Sequence, residues 1–145
     1  MITLDSNILV YVADADAGER HTTAVAVVDQ AIRDGAVVFL LQSFVEFFHV
    51  TVRKGHLTPS AAREFIRGWQ AVAPVKPYIV DDLQAAIETV LAHKLSFFDT
   101  LLWATADRVG VTYLITEDQQ DGRRLGRVTF VDPFAARNRA LLGLD

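Results

Sequence analysis

The stretch Ile2-Thr3-Leu4-Asp5-Ser6-Asn7-Ile8-Leu9 starts apolar, meets a carboxylate at Asp5, and becomes apolar again at Ile8. It reads as a short buried strand ending at Asp5, followed at once by a helix that Asp5 or Asn7 can cap. A strand running straight into a helix is the opening of an alternating β/α chain, the pattern that builds parallel sheets.

The rest of the chain repeats that alternation. Within residues 21–33, Ala24, Val25, Val28, Ala31 and Ile32 recur at helical spacing, and Gly35 supplies a stop. Residues 37–41 form a continuous apolar run with β-branched members, which suits a central strand covered on both faces. A helix is expected next, through Glu46 to about Arg53 and ending before Gly55. Thr58-Pro59 starts another, with Ala62, Phe65, Ile66 and Trp69 as its apolar stripe and Pro74 ending it. Residues 77–80 read as a strand or extended piece. Asp81 or Asp82 then caps a helix whose expected core face is Leu83, Ile87, Val90 and Leu91. Residues 96–107 form the last expected helix, with Gly110 as terminator, and 111–115 and 128–131 the last strands. No repeat or linker divides the chain. The expectation is one α/β domain over residues 1–145, a three-layer α/β/α sandwich around a mainly parallel central sheet with right-handed crossovers.

Composition narrows the function. With 51% hydrophobic residues in 145, the chain can bury a sizeable core. It contains no Cys, which removes disulfides, thiolate nucleophiles and zinc–thiolate sites and suits a reducing cytoplasm. No signal peptide and no membrane-length apolar run is visible, so a soluble cytoplasmic protein is expected. The net charge of −4 argues against a domain that coats nucleic acid, although acids clustered at a metal site would inflate that count. Basic residues are grouped at Arg53-Lys54 with His56, at Arg63 with Arg67, and at Arg123-Arg124 with Arg127. Each group alone reads as a solvated face, and together they could rim a phosphate-binding pocket.

Four acids occupy places that call for explanation: Asp5, Glu46 within Phe44-Val45-Glu46-Phe47-Phe48, Asp99 after Phe97-Phe98, and Asp118 after Tyr113-Leu114-Ile115-Thr116. Charges beside apolar stretches are normally paired, and few basic residues stand at matching positions. Each acid has a bland reading. Asp5 reads equally as cap or ligand. Glu46 could share a solvated stripe with Gln42 and His49. Ser96-Phe97-Phe98-Asp99 resembles a capping box, and Asp118, like Asp121 before Gly122, could be a turn residue. Thr116 could cap a following helix or hydrogen-bond a neighbouring carboxylate. Taken jointly, the four acids point to one shared cation at the carboxyl edge of the sheet, where ligands of such folds collect. His49, His56 and His93 lack the spacing of a zinc pair, His21 reads as an exposed helix start, and no glycine-rich phosphate loop is present.

In this order and spacing, Leu4-Asp5-Ser6-Asn7, Glu46, Ser96-Phe97-Phe98-Asp99 and Thr116-Glu117-Asp118 with Gln119-Gln120-Asp121-Gly122 resemble the PIN domain family, in particular the VapC-like toxins of type II toxin–antitoxin systems. The resemblance spans nearly the whole chain, with little guidance over 53–73 and beyond Phe134. It implies a metal-dependent endoribonuclease whose catalytic and metal-holding acids are Asp5, Glu46, Asp99 and Asp118. Asp5 and Asp99 are the expected direct ligands, supported by Asn7 and Thr116, with Asp121 an open fifth acid. Hard oxygen donors suit Mg2+, with Mn2+ as substitute, and a metal-activated water would leave a 3′-hydroxyl and a 5′-phosphate. The implied partners are an RNA substrate, a second copy in a homodimer, and a cognate antitoxin. The antitoxin is expected in a groove formed by the N-terminal apolar helices and the 58–69 helix. A catalytically silent PIN-like binding or scaffold module is the alternative. Phosphatase chemistry of the haloacid dehalogenase type needs an Asp-x-Asp pair, and Asn7 takes the second place.

Overall fold

In the computed structural model, which describes residues 1–145, the opening stretch forms strand β1 (Ile2–Leu4) and helix α1 (Ser6–Ala13), with Asp5 alone between them. Helix α2 (Glu19–Arg33) follows, then strand β2 (Phe39–Leu40), which passes directly into α3 (Leu41–Arg53). Helix α4 (Pro59–Val72), strand β3 (Val75–Lys76), and helices α5 (Val80–Ala92) and α6 (Phe97–Arg108) come next. Strands β4 (Tyr113–Ile115), β5 (Arg124–Leu125) and β6 (Val128–Val131) complete the sheet.

Strand β4 lies between β1 and β6, parallel to both, with Leu4 opposite Ile115 and Ile115 opposite Val131. Strands β2 and β3 form a second parallel pair. It is tied to β1 where the Ile2 amide donates to Ala36 O and the Val38 amide donates to Ile2 O, at 2.8 and 2.9 Å. The strands therefore run in the order β3-β2-β1-β4-β6-β5, and only β5 is antiparallel. This is an α/β fold with a mainly parallel central sheet and six α-helices. No helix is long and apolar enough to cross a membrane.

Side-chain alternation along the strands explains the three layers. Leu4, Phe39, Ile115 and Val131 point to one face, under apolar residues of α1 to α4. Val38, Leu40, Leu114, Val128 and Phe130 point to the other, under α5 and α6. Trp69 of α4 meets Phe47 of α3 edge to face, with ring centroids 5.0 Å apart, and stacks on Phe44 at 5.9 Å. Leu4, Ile8, Leu9, Phe39 and Phe47 are fully buried, so truncating any one to Ala costs about 2–5 kcal/mol.

Several expectations are corrected. Leu41 opens α3 instead of ending β2, and it is exposed. The strand expected at 77–80 lies at Val75–Lys76. Pro77 has no amide to continue the pairing, and Val80 is already in α5. Helix α5 turns Ala86 and Asp82 inward and leaves Ile87 and Leu91 exposed, Leu91 at 82%. Arg63 and Arg67 pair with Glu64, and Arg127 pairs with Asp107. Nothing in the sequence pattern marks strand β5. It closes a hairpin whose Gly126 has φ 59°, and a Cβ there would lie 2.9 Å from Asp107 Oδ1.

Candidate active site

The carboxyl ends of β1 and β4 set the geometry. The Asp5 amide donates to Ile115 O at 2.9 Å and the Thr116 amide to Val131 O at 3.0 Å, so both residues sit just past the ends of adjacent parallel strands. Asp5 Oδ1 accepts from the Ser6 amide at 2.7 Å and so caps α1. Its other oxygen accepts from the Thr116 hydroxyl at 2.8 Å. The cap and site readings thus coexist in one side chain, each using a different oxygen.

Glu46 arrives from α3. The Ser43 hydroxyl, fully buried on that helix, donates to Leu4 O at 2.9 Å and pins the helix to the end of β1. Glu46 lies one turn further along, where Ser6 Oγ donates to its Oε2 and Gln42 Nε2 to its Oε1, each at 2.9 Å. The same Gln42 nitrogen donates to Phe98 O at 2.8 Å, tying α3 to the start of α6. Gln42 is buried, so it is not part of a solvated stripe. Besides Leu41 at its start and Arg53 at its end, the exposed side chains of α3 are Val45, Phe48 and His49.

Asp99 stands in the first turn of α6, where the Asp99 amide donates to Ser96 Oγ at 3.3 Å. Its carboxylate does not return the bond as a capping box would. It accepts from Gln119 Nε2 at 3.0 Å. Leu102, Trp103 and Ala106 are buried, so this helix packs inward behind its acidic first turn. Asp118 follows β4. Its amide donates to Thr116 Oγ1 at 3.1 Å, and its Oδ2 accepts from Asn7 Nδ2 at 2.9 Å. No helix begins at Thr116; its hydroxyl joins the Asp118 backbone to Asp5.

Asp5, Glu46, Asp99 and Asp118 thus belong to one hydrogen-bonded edge, and none of them pairs with Lys, Arg or His. Asp121 lies elsewhere. It accepts from the Asp132 amide at 2.8 Å, from Asn138 Nδ2 at 2.9 Å and from the Arg137 guanidinium. Burial would raise its carboxyl, but these donors outweigh burial and hold it below the usual carboxylate range. Sequence reasoning missed the roles of Gln42, Gln119 and Ser43. Gln42 stands four residues before Glu46, a helical spacing that could have revealed it. Gln119 carries no periodic signal.

The electrostatics follow from this arrangement. Asp5 is only 5% exposed, and burial pushes its carboxyl up to about 7. The Thr116 hydroxyl opposes that rise, and the nearby Asp99 and Glu46 carboxylates add to it. The donor set suits a hard cation. Every acid offers oxygen, and the buried Asn7 Oδ1 and Gln42 Oε1 accept no hydrogen bond within the protein. No group of three His, Asp or Glu side chains is close enough to hold a metal ion between them. Mg2+ requires less, since it is commonly held by one or two carboxylates and keeps several waters.

The sequence matches the PIN domain family over residues 2–128, and the chain belongs to that family. No curated protein matches the sequence. Among solved structures, Mycobacterium tuberculosis VapC20, a Sarcin-Ricin loop cleaving toxin, is 19% identical, with a TM-score of 0.64 over 79% of this chain and 87% of that one. A toxin–antitoxin complex from Klebsiella pneumoniae is 20% identical, with a TM-score of 0.63 over 92% of this chain and 98% of that one. VapBC2 from Rickettsia felis, bound to a DNA fragment from its promoter, is 13% identical, with a TM-score of 0.63 over 90% and 97%. At these identities the likeness establishes a shared fold.

Proposed function

We propose that this chain, over residues 1–145, is a Mg2+- or Mn2+-dependent endoribonuclease and the cytoplasmic toxin of a type II toxin–antitoxin system. The observation that carries the reading is the buried Asp5, joined through Thr116 and Ser6 to Asp118 and Glu46, with Asp99 near it and no basic side chain to neutralise any of them. A buried carboxylate without a protein cation calls for a cation from outside.

Asp5 and Asp99 would hold the ion, and Glu46 and Asp118 would complete the site or hold metal-bound water. The chemistry such an ion would supply is activation of a water and offset of the charge developing on the scissile phosphate. Ser6 and Gln42 fix Glu46, Asn7 fixes Asp118, and Gln119 fixes Asp99. The free oxygens of Asn7 and Gln42 are acceptors for water at the same edge. Incubation of single-stranded and structured RNA with Mn2+ is expected to give internal cuts with 5′-phosphates, abolished by EDTA and by Asp99→Asn. Metal binding without cleavage of any RNA would instead establish a silent PIN-like module.

The antitoxin docks in the apolar groove between α3 and α4, of about 340 Å3, lined by Leu41, Phe44, Val45, Phe48, Ile66 and Val75. Two of the similar structures are toxin–antitoxin assemblies, and α3 is also the helix that carries Glu46. Val80, Ile87 and Leu91, exposed on α5, are available to a second copy in a homodimer. Sedimentation of the purified chain tests that dimer, and a persistent monomer would rule it out.

A further inference from the structure

The loop 116–121 carries Asp118 and Gln119 to the candidate site, and both of its other carboxylates are turned to different partners. Glu117 accepts from the Tyr11 hydroxyl and from Arg20, whose Nε and Nη2 lie 3.1 and 3.0 Å from Glu117 Oε2. Asp121 is gripped from the C-terminal side by the Asp132 amide, Arg137 and Asn138.

The two grips are joined. The Arg20 guanidinium lies over the Phe134 ring, 4.7 Å from its centroid, and Phe134 meets Tyr11 edge to face at 5.5 Å. Asp132 Oδ1 accepts from the Phe134 amide at 2.9 Å, and Asn138 Nδ2 donates to Asp132 O at 2.8 Å, which stiffens the 132–138 segment itself. A closed ring therefore runs from Glu117 through Tyr11, Arg20 and Phe134 to the C-terminal segment, and returns through Arg137 to Asp121. The segment lies beyond the family match, which ends at residue 128.

We propose that Glu117 and Asp121 are positioning residues, and that the 132–138 segment and the Tyr11–Arg20 pair form a clamp fixing Asp118 and Gln119 at the metal edge. Two arginines occupy the two acids that flank the site, so neither acid competes for the cation or adds to the repulsion among the four unpaired ones. The clamp holds the loop from both ends, and Asp118 lies between its two anchors. Groups that orient metal-holding side chains in this way set metal affinity as well as turnover. Arg20 and Arg137 have side chains 51% and 71% exposed, so ion pairs of this kind add little to global stability and their loss leaves the chain folded. The clamp rests on the nuclease reading for its chemical purpose but not for its mechanical one.

The test compares wild type with Glu117→Ala, Glu117→Gln, Tyr11→Phe and Arg137→Ala. It uses calorimetric titration with Mn2+, amide hydrogen exchange of the metal-free proteins, and RNA cleavage kinetics. Glu117→Ala is expected to weaken Mn2+ binding about tenfold. It should also lower kcat with KM unchanged and speed exchange across 116–121 while the melting temperature stays near wild type. Glu117→Gln keeps its one oxygen for Arg20 and turns its amide nitrogen to the Tyr11 hydroxyl, which can accept, so it should recover most of the loss. Tyr11→Phe and Arg137→Ala should each give a smaller version of it. Mn2+ affinity and exchange both unchanged in Glu117→Ala would overturn the clamp. So would a Glu117→Gln defect as severe as Asp118→Asn, because Glu117 would then be a ligand. If wild type cuts no RNA, the nuclease reading fails by itself, and the titration and exchange still decide the clamp.

Discussion

Two buried aspartates of this protein make opposite arrangements. Asp82, 2% exposed on α5, accepts two hydrogen bonds from Arg108 of α6, at 2.8 and 3.0 Å, and a third from the Ile79 amide at 2.8 Å. Arg108 also donates to Pro77 O, so the pair staples the α5–α6 hairpin and its entry. Asp5, 5% exposed at the end of β1, accepts from the Thr116 hydroxyl and from the amide and hydroxyl of Ser6, all neutral donors, with two further carboxylates nearby. A buried acid used for structure is given a bidentate partner that neutralises it. Asp5 is left among acids with no such partner, an arrangement that costs folding energy and that the proposed cation would offset.

The largest expected effect sits on Asp5. Since a metal supplies several kcal/mol of transition-state stabilisation, Asp5→Asn should cut kcat on the order of a thousandfold. The metal-free variant should melt at or above the wild-type temperature. Melting well below wild type would mean that Asp5 is a structural cap.

The same contrast has a pH signature. Folding raises the Asp5 carboxyl from its ordinary value of 3.8 to about 7. The native state therefore holds this proton more tightly than the unfolded chain does. The associated stability is fully present below the ordinary value and is lost as pH rises through about 7. The difference is on the order of 4 kcal/mol at most, since each tenfold change in proton affinity is worth about 1.4 kcal/mol. Urea denaturation of metal-free wild type and Asp5→Asn across that pH range checks this, because the mutant should lack the decline. Parallel curves would remove the contrast.

At the staple, Arg108→Ala strands a buried carboxylate and should cost about 3 kcal/mol, read as a lower urea midpoint. Mn2+ affinity should be unaffected. The smallest effect is expected at Arg63→Ala, whose pair with Glu64 joins two exposed side chains, with a change of at most about 0.5 kcal/mol. A large effect there would break the rule that burial, not pairing alone, sets these energies.

Much of the fold was legible because strand and helix periodicities are local. The strand-to-helix turn at Asp5, the Thr58 cap and the Ser96 cap all stand where the sequence placed them. Which apolar side chains would stay exposed was less legible. Val45, Phe48, Ile87 and Leu91 have the composition of a core, yet the sheet has only two faces to cover. Once Phe44, Phe47 and Ala86 fill the contacts, the rest remain outside.

For the site, chain order alone marked the four acids, because carboxylates at strand ends and first helical turns are visible one residue at a time. It left Asp121 open and gave no charge partner for Glu117, Asp121 or Asp82, which look equally acidic in sequence. The tertiary structure supplied those partners by bringing Arg20, Arg137 and Arg108 to those three, across 97, 16 and 26 residues of chain. Whether a carboxylate is neutralised depends on which charge lies within a few ångströms of it. Sequence determines that an acid is present, and only folding decides whether it has a partner.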